Sequence, residues 1–314
     1  MNLTNLDVVI VTYNRLEKLK KTLLYYSEQT ASFRNLIIVN NCSSDGTNDF
    51  LTEWIDNNRN NPKFNPIVIH PNENLGGSGG FYIGEKKAMS LDPDWILVAD
   101  DDAYPDPDMI ENFYDFIKSH DISAISAICG AVLNADRSVC YYHRSRIIIK
   151  KGYHFILENS TPEDYESPFF DIDVLSYVGA FIKAKVLGEV GLVNKDYFIY
   201  ADDGEHSIRL REKGKLICVP SIKILHDSGQ ETSSKDTDIF TWRDYYATRN
   251  YIHLLIKHYK MCAINRIYHE IRRIKHIRGP QSRRMLLNAI LDAVIGNLGK
   301  HKLYSPGWSI NKEK

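Results

Sequence analysis

Three consecutive aspartates, Asp100, Asp101 and Asp102, give this sequence its clearest opportunity for chemistry. They follow the apolar run 95–98, which predicts a buried strand that ends beside them. Adjacent carboxylates repel one another unless a cation or a proton compensates their charge. Alternate residues of an extended segment point the same way, so we expect Asp100 and Asp102 to face one ion while Asp101 faces elsewhere. Carboxylate oxygens suit Mg²⁺ or Mn²⁺ and the phosphates that these ions bridge, and the alternative is a solvated acidic turn.

A second acidic group, which contains Asp202, Asp203 and Glu205, lies before a helical pattern that stops at Gly214. A carboxylate at a helix start often only caps the helix, but it acts as a general base where it reaches a substrate hydroxyl. Two apolar runs, 216–219 and 222–225, predict two strands after that helix, and His226 follows the second. Neutral imidazole is a common metal ligand, although a lone histidine is more often structural.

The segment 74–81, Asn-Leu-Gly-Gly-Ser-Gly-Gly-Phe, is a glycine cluster that opens a predicted helix. Glycines let the backbone approach a ligand closely, and exposed amides at a helix start favour anions. Tyr82 stands where a G-x-G-x-x-G motif needs its third glycine, so the cluster does not indicate a dinucleotide-binding fingerprint. A flexible loop without a ligand is the alternative.

Asp45 belongs to the polar segment 40–47, between a predicted strand and a predicted helix. It either caps that helix or accepts hydrogen bonds from a nucleobase or ribose at the end of the strand. The sequence by itself favours neither interpretation.

The elements that must position these residues alternate between strand and helix. Apolar runs at 8–11, 36–39, 67–69 and 95–98 are separated by helical patterns. This alternation predicts an α/β fold with a doubly wound, mostly parallel sheet. Ligands of such sheets bind beyond the carboxyl ends of the strands, so we expect the polar and glycine-rich segments to meet at one edge.

The composition is that of an ordinary globular protein. The 314 residues are 43% hydrophobic and 25% charged, and the net charge of -1 gives no nucleic-acid-binding signature. Five scattered cysteines without a C-x-x-C pair predict reduced thiols in the cytoplasm. No apolar run approaches the roughly 20 residues of a membrane span, and the N-terminus does not resemble a signal peptide. We therefore expect a cytoplasmic protein.

The last part of the chain differs in character from the rest. Between Arg249 and Lys302 there are twelve Lys or Arg residues and two acidic ones. We predict a catalytic domain over 1–240 and a basic helical region over 241–314, broken near Gly279. The basic charge favours peripheral contact of 249–302 with anionic lipid, or contact with a lipid-diphosphate acceptor. The alternatives are a positive helical face in water and a self-association surface.

These pieces, in this order, resemble family-2 glycosyltransferases of the GT-A fold over roughly residues 6–259. Four residues resemble the loop after the family's opening strand, which implies contacts to the nucleotide; they are Thr12, Tyr13, Asn14 and Arg15. The segment 40–47 resembles the family's Asn-Asp-x-Ser-x-Asp-Gly-Thr stretch, which implies that Asp45 binds the base. Asn41 stands where the family often has aspartate.

The resemblance also assigns roles to the acidic groups. The aspartate triplet matches the family's Asp-x-Asp element, which implies that Asp102 and Asp100 serve a Mn²⁺ or Mg²⁺ ion together with His226. The second acidic group resembles the pair before a family helix, which places the catalytic base on Asp203. Its neighbours are then expected at the acceptor; they are Asp202, Glu205 and His206.

The glycine cluster beside a triple aspartate looks most like bacterial galactofuranosyltransferases, and rhamnosyltransferases carry similar loops. The residues implied at the donor from this part of the chain are Asn74, Gly76, Gly77, Gly79, Gly80, Asp100 and Asp101. The implied reaction is inverting transfer of galactofuranose from UDP-galactofuranose to a bacterial surface polysaccharide or lipid-linked glycan. Transfer of rhamnose from dTDP-rhamnose is the alternative.

Two other classes of protein use similar residues. A nucleotidyltransferase also combines paired carboxylates with a metal, but the cluster Gly76–Gly80 lacks the basic residue that would cradle a triphosphate. A sugar-nucleotide-binding module without activity would need no base, and the presence of Asp203 argues against it.

Overall fold

The computed structural model describes residues 4–227 and 240–310. Its first part alternates strands and helices as the apolar runs predict. These elements are β1 (Leu6–Thr12), α1 (Leu16–Ser27), β2 (Asn35–Asn40), α2 (Thr47–Asn58), β3 (Asn65–Ile69), α3 (Gly76–Met89) and β4 (Trp95–Asp100).

The middle of the chain adds shorter strands and three helices. They are β5 (Ala103–Pro105), α4 (Met109–Ser119), β6 (Ile125–Leu133), β7 (Arg144–Lys150), β8 (His154–Asn159), β9 (Phe170–Ile172), β10 (Val174–Leu175), β11 (Ala180–Lys183), α5 (Ala184–Val190), α6 (Asp202–Arg211) and β12 (Lys215–His226). The described residues 240–310 add α7 (Trp242–His258), α8 (Lys260–His276) and α9 (Pro280–Ile295).

Within the part of the chain that the structure describes, a mixed sheet of nine strands forms the centre. Its order is β3-β2-β1-β4-β11-β6-β12-β5, and β9 also pairs with β12. Strands β1 to β4 are parallel, as are β6 and β12, whereas β11, β5 and β9 run antiparallel to their neighbours. The predicted α/β fold is confirmed. A second sheet, β10-β7-β8, was not predicted, because its region mixes short apolar runs with polar turns.

Helical layers bury both faces of the central sheet. Val8 and Ile10 of β1 pack with α1 and α4, while Val9 and Val11 pack with α3 and α5 on the opposite face. Because both faces are covered, β1 is buried along its whole length and reads as a continuous apolar run rather than an alternating one.

Strand β12 corrects one expectation from the sequence. The runs 216–219 and 222–225 predicted two strands, but they form one strand with a register shift between Val219 and Lys223. Pro220 lies within the shift, where a residue without a backbone N–H interrupts the pairing only locally. The continued strand pairs His226 with Ala103 of β5, directly after the aspartate triplet.

The C-terminal helices are present as predicted, with a break between α8 and α9 and an additional one at Tyr259. Tyr245 and Ile252 of α7 share a core with Met285 and Leu286 of α9. The division into domains 1–240 and 241–314 stays a prediction, and the parts 228–239 and 311–314 lie outside the described residues. Within the described residues, no helix is both long and apolar enough to cross a membrane.

Candidate active site

The carboxyl ends of three parallel strands bring the predicted loops to one edge of the sheet. Thr12 at the end of β1 pairs with Asn40 at the end of β2, and Val11 pairs with Asp100 at the end of β4. The loops that follow these strands therefore start side by side. This is the edge at which α/β sheets bind their ligands.

Asp100, Asp102 and His226 converge at this edge. Each offers one ligand atom, and these atoms all lie within 4.8 Å of one another. Asp101 points elsewhere, and its Oδ2 accepts a hydrogen bond of 2.7 Å from Thr12 Oγ1. Asp101 and Asp102 lie in the turn between β4 and β5, not in the extended segment that the sequence predicted.

The charges of this cluster are unevenly compensated. Burial raises the pKa of Asp100 to about 8, and the neighbouring Asp102 adds to the rise. Burial also works against ionisation of Asp102, but His226 and Arg15 hold the pKa of this carboxyl below its ordinary value. Arg15 Nη1 lies 2.8 Å and Lys18 Nζ 3.2 Å from Asp102 Oδ2. One oxygen of Asp102 is thus fully engaged with cations.

The other oxygen of Asp102 fits a metal ligand. Asp102 Oδ1 lies 3.4 Å from His226 Nε2, and within the described chain it is buried without a hydrogen-bond partner, as is His226 Nδ1. A buried oxygen that lacks a partner is costly, and a bound cation would satisfy it. Two carboxylates and an imidazole are hard or borderline ligands that suit Mn²⁺ or Mg²⁺. These three residues can therefore hold a divalent cation.

The first two loops are held together by side-chain hydrogen bonds. Asn14, at φ +51°, donates its backbone N–H to Ser43 Oγ at 3.0 Å and accepts a bond of 2.7 Å from the N–H of Ser44. Asp45 accepts from the N–H of Leu16 at 3.0 Å, the first residue of α1. Its other oxygen accepts from the N–H of Thr47 at 3.3 Å, the first residue of α2, so Asp45 contacts the starts of both helices, and its contact to a base stays a prediction.

Tyr13 and Arg15 both lie at this edge of the sheet, Tyr13 with an exposed ring and Arg15 in contact with carboxylates. The side chain of Tyr13 is 39% exposed, so its ring is available to a ligand. Arg15 bridges two carboxylates, with Nη1 at 3.3 Å from Asp101 Oδ1 in addition to its contact with Asp102. A guanidinium in this place lies where an anionic ligand of the cation would bind.

The glycine cluster opens α3, which begins at Gly76 as predicted. Buried Asn41 holds the turn before it, because its Nδ2 donates to the carbonyl of Gly76 at 2.9 Å and its Oδ1 accepts from the N–H of Leu75 at 3.0 Å. Asn74 Oδ1 accepts from the N–H of Gly76 at 2.8 Å. An aspartate in place of Asn41 could not donate, so the asparagine has a structural role of its own.

The glycines of this cluster have different physical requirements. Gly76 has φ +72°, and a Cβ there would lie 2.0 Å from the carbonyl oxygen of Phe198. A Cβ would lie 2.6 Å from the Leu75 side chain at Gly79 and 2.5 Å from the Val11 side chain at Gly80. At Gly77 nothing lies within 4 Å. Three of the glycines are therefore needed for packing, while Gly77 leaves space for a ligand.

Asp203 lies in the wall of a cavity of ≈ 690 Å³ between the second sheet and helices α6, α7 and α8. Its Oδ1 accepts a hydrogen bond of 2.7 Å from the N–H of Gly204. Burial raises the pKa of Asp203 to about 7, and the charge of Asp202 contributes to the rise. A carboxylate that takes up a proton near neutral pH suits a general base.

His143 connects this cavity to the aspartate cluster, although no sequence pattern singled it out. It lines the cavity, and its ring lies 5.1 Å from that of His226. Burial lowers the pKa of His143 to about 2, so the ring is neutral. The adjacent Arg144 is fully buried and donates to the carbonyls of Gly130 and Val178, which fixes this part of the chain.

A strained turn leads into α6, and α7 holds it. Phe198, Tyr200 and Ala201 all have positive φ, near +65°. Asn250 Nδ2 donates to the carbonyls of Tyr197 at 2.8 Å, Ile199 at 2.7 Å and Tyr200 at 3.0 Å. The sequence predicted no such role for the asparagine, since it lies about 50 residues away along the chain. It orients the helix start that carries Asp203.

The structure does not bring all of the predicted acceptor residues to the cavity. Glu205 is fully buried and accepts bonds from Arg209 at 2.9 Å and from Lys257 at 2.7 Å. His206 is also fully buried, beside the hydroxyl of Tyr177. Both therefore support α6 from within, and of the acidic group only Asp203 lines the cavity among the residues that the structure describes. Their contact with an acceptor stays a prediction.

Two arginines of α8 face the cavity from the other side. Arg266 and Arg273 line it, and both pair with buried Glu270, at 2.6 Å and 3.3 Å. Arg266 Nε is buried and has no hydrogen-bond partner within the described residues. The cavity thus has a carboxylate at one side, cations at the other and apolar groups such as Leu254 between them.

Comparison with known proteins relates this arrangement to one family. A sequence profile described as Glycosyl transferase family 2 matches residues 7–191. Galactofuranosyltransferase GlfT1 of Mycolicibacterium smegmatis is 25% identical over 211 residues, which are 66% of this chain and 65% of that protein. The match therefore spans just under two thirds of that relative's length.

Two further proteins are similar. The N-acetylglucosaminyl-diphospho-decaprenol L-rhamnosyltransferase of Mycobacterium tuberculosis is 25% identical over 247 residues, 72% of this chain and 77% of that protein. The crystal structure of GalNAc-T7 with UDP, GalNAc and Mn²⁺ superposes with a TM-score of 0.61 at 15% identity, over 94% of this chain and 56% of that one. At this identity the structural likeness concerns the fold alone.

Proposed function

This chain belongs to glycosyl transferase family 2, and we propose that it transfers a sugar from a nucleoside diphosphate to an acceptor hydroxyl, with inversion at the anomeric carbon. One observation carries the proposal. The cluster of Asp100, Asp102 and His226 adjoins His143, and His143 also lines the cavity that contains Asp203. A leaving diphosphate and an attacking hydroxyl would thus meet between a cation site and a base.

The cation site is assigned to Asp100, Asp102 and His226. Mn²⁺ or Mg²⁺ bound there would act as a Lewis acid that stabilises charge on the departing diphosphate. Arg15 and Lys18, which contact Asp102, would face the same charge. Asp100 and His226 end strands, Lys18 lies on α1, and Asp102 and Arg15 directly adjoin these elements, so the core sets their positions.

The nucleotide is assigned to the loops after β1 and β2. Tyr13 offers an exposed ring to the base, Asp45 an exposed carboxylate, and Thr12 and Asn14 hold these loops in place. The diphosphate would approach the start of α3 near Gly77, where a Cβ would meet open space. The remaining glycines and Asn74 shape this turn.

Asp203 is assigned the role of base. The acceptor oxygen forms a bond to the anomeric carbon as the bond from that carbon to the diphosphate oxygen breaks. The proton of the acceptor hydroxyl passes to the Asp203 carboxylate, and the nucleoside diphosphate leaves with the electron pair. Single displacement of this kind inverts the anomeric centre.

The acceptor is assigned to the cavity. Its apolar wall together with Arg266 and Arg273 favours an acceptor with an apolar part and an anionic group, such as a lipid-diphosphate-linked glycan. The rhamnosyltransferase relative is named for an acceptor of this type. Replacing Arg273 with Gln should raise the acceptor KM and leave donor binding unchanged.

The donor is proposed to be UDP-galactofuranose, with dTDP-rhamnose as the second candidate, because both activities occur in the names of relatives. Release of nucleoside diphosphate should be measured with UDP-galactofuranose, UDP-galactopyranose, dTDP-rhamnose and UDP-glucose, each with Mn²⁺ and with Mg²⁺. We expect UDP-galactofuranose to react fastest. Preference for dTDP-rhamnose would establish the second candidate, and no release from any donor would contradict glycosyl transfer.

A further inference from the structure

Helix α8 exposes an apolar face to the surroundings. Met261, Ile264, Tyr268 and Ile271 are 61%, 62%, 55% and 44% exposed. Their spacing of three or four residues places them along one side of the helix. The opposite side, with Cys262, is buried against α7. The helix is therefore apolar on both sides, but only one of them packs against the protein.

Helix α9 has a similar face. Leu287, Leu291, Val294 and Ile295 are 51%, 56%, 54% and 63% exposed and share one side of the helix. Single exposed apolar residues are ordinary on protein surfaces, but such a concentration in two consecutive helices indicates a binding surface.

The charged residues around these faces are segregated by sign. Exposed cations on these two helices include Lys260, Arg272, Lys275, Arg283 and Arg284. The two acidic residues between Arg249 and Lys302 both point inward. Glu270 is 3% exposed and pairs with Arg266, and Asp292 is 8% exposed and accepts a bond of 2.6 Å from Tyr245. The outer surface of α8 and α9 therefore presents cations without nearby anions of its own.

We propose that the exposed faces of α8 and α9 bind the surface of an anionic lipid bilayer. The apolar side chains would enter the boundary between headgroups and acyl chains, while the cations contact lipid phosphates. The positions of these cations favour lipid over a second copy of the chain, because a symmetric contact would bring like charges together.

The two sides of α8 then have separate partners. Its outer side faces lipid, while Arg266 and Arg273 face the cavity. A bilayer bound to α8 would lie one helix diameter from the cavity, or about 10 Å. This consequence, unlike the lipid contact itself, rests on the proposed function.

Vesicle flotation tests the contact with the full chain. The protein should float with vesicles of phosphatidylcholine and phosphatidylglycerol at low salt, and not with phosphatidylcholine alone. The double variant Ile264→Ser/Leu291→Ser should bind about tenfold more weakly, because two apolar anchors are lost. Leu24→Ser is the matched control, since Leu24 is 54% exposed on α1 and should not affect flotation. Circular dichroism checks that the variants are folded.

Three results would overturn the proposal. The first is wild-type protein that stays unbound with acidic vesicles at low salt. The second is an equal loss of binding in the Leu24→Ser control. The third is a dimer, detected by sedimentation velocity, that the double variant abolishes while vesicle binding is absent, because that result assigns the surface to a second copy.

Discussion

The raised pKa of Asp203 suits a catalytic base but lowers the stability of the folded protein at neutral pH. Its pKa of about 7 in the folded protein lies above the value of about 3.9 for an unfolded chain. The folded protein therefore binds more protons in this interval, and the contribution of Asp203 to the free energy of unfolding falls as pH rises from about 4 to about 7.

This shift predicts the stability of Asp203→Asn. The variant keeps the oxygen that accepts from Gly204 and lacks the charge, so at pH 8 its free energy of unfolding should equal or exceed that of the wild type. The difference should vanish near pH 4. Denaturant unfolding at both pH values measures it, and a variant that is less stable at pH 8 would contradict the shift.

Asp102 is the residue at which metal dependence is most open to test. Asp102→Ala removes the buried oxygen beside His226, so Mn²⁺ should no longer increase the affinity for UDP. Calorimetric titration of UDP with and without Mn²⁺ measures the effect. Asp115→Ala, at an exposed carboxylate of α4, is the control and should retain the increase. An unchanged response to Mn²⁺ in Asp102→Ala would remove the metal role.

The residues of the candidate site could be predicted from the sequence to different degrees. The convergence of Asp100 and Asp102 was expected from alternation along an extended segment, but a turn at Asp101 and Asp102 produces it. The pairing of their strand with β1 followed from its apolar run. The approach of His226 was implied only by the family resemblance. His143 could not be found, because its contact with His226 depends on packing between segments about 80 residues apart, which no local pattern encodes.

At the start of α3, one glycine substitution should affect packing and another should affect ligand binding. Gly80→Ala gains about 1 kcal/mol of helix propensity but forces a methyl group against Val11, and overpacking typically costs about 1–3 kcal/mol. We expect a lower melting temperature for it. Gly77→Ala should fold normally and bind UDP more weakly, which thermal unfolding and calorimetry would show. Normal UDP affinity in Gly77→Ala would place the diphosphate elsewhere.

On helix α7, substitution of Asn250 should change kcat more than it changes the donor KM. Asn250→Ala removes the side-chain donor from the carbonyls of Ile199 and Tyr200, while the carbonyl of Tyr197 keeps a bond of 3.2 Å from Arg249 Nη2. Each carbonyl that is left unsatisfied costs about 1–3 kcal/mol. We expect lower stability and a fall in kcat greater than the change in donor KM, because the turn aims Asp203. Asn288→Ala on α9, which loses one bond to Tyr304, should keep its kcat. A matching loss of kcat in both variants would refute this role.

The elements themselves were predictable where burial is continuous. Strands β1 to β4 and their helices follow from uninterrupted apolar runs. The second sheet and the single strand β12 did not follow, since β7 and β8 are partly exposed and Pro220 reads as a strand end. Their formation depends on pairing with distant partners.

Over the whole molecule, the residues that match the family profile include only part of the proposed active site. Residues 7–191 include the aspartate triplet but neither Asp203 nor His226. Both later residues are brought in by α6 and β12, and α7 supports the turn that precedes Asp203. The C-terminal helices therefore form part of the catalytic unit in this account, as well as the proposed lipid-binding surface.

In the proposed reaction, a cation site and the Asp203 base act together in glycosyl transfer. The most direct measurement is release of nucleoside diphosphate from the preferred donor, with acceptor present, by the wild type and by Asp203→Asn. We predict release by the wild type with Mn²⁺, its loss with EDTA, and a rate lower by about 10²- to 10⁴-fold in Asp203→Asn with UDP affinity retained. Near-normal release by Asp203→Asn, or release unaffected by EDTA, would contradict the account.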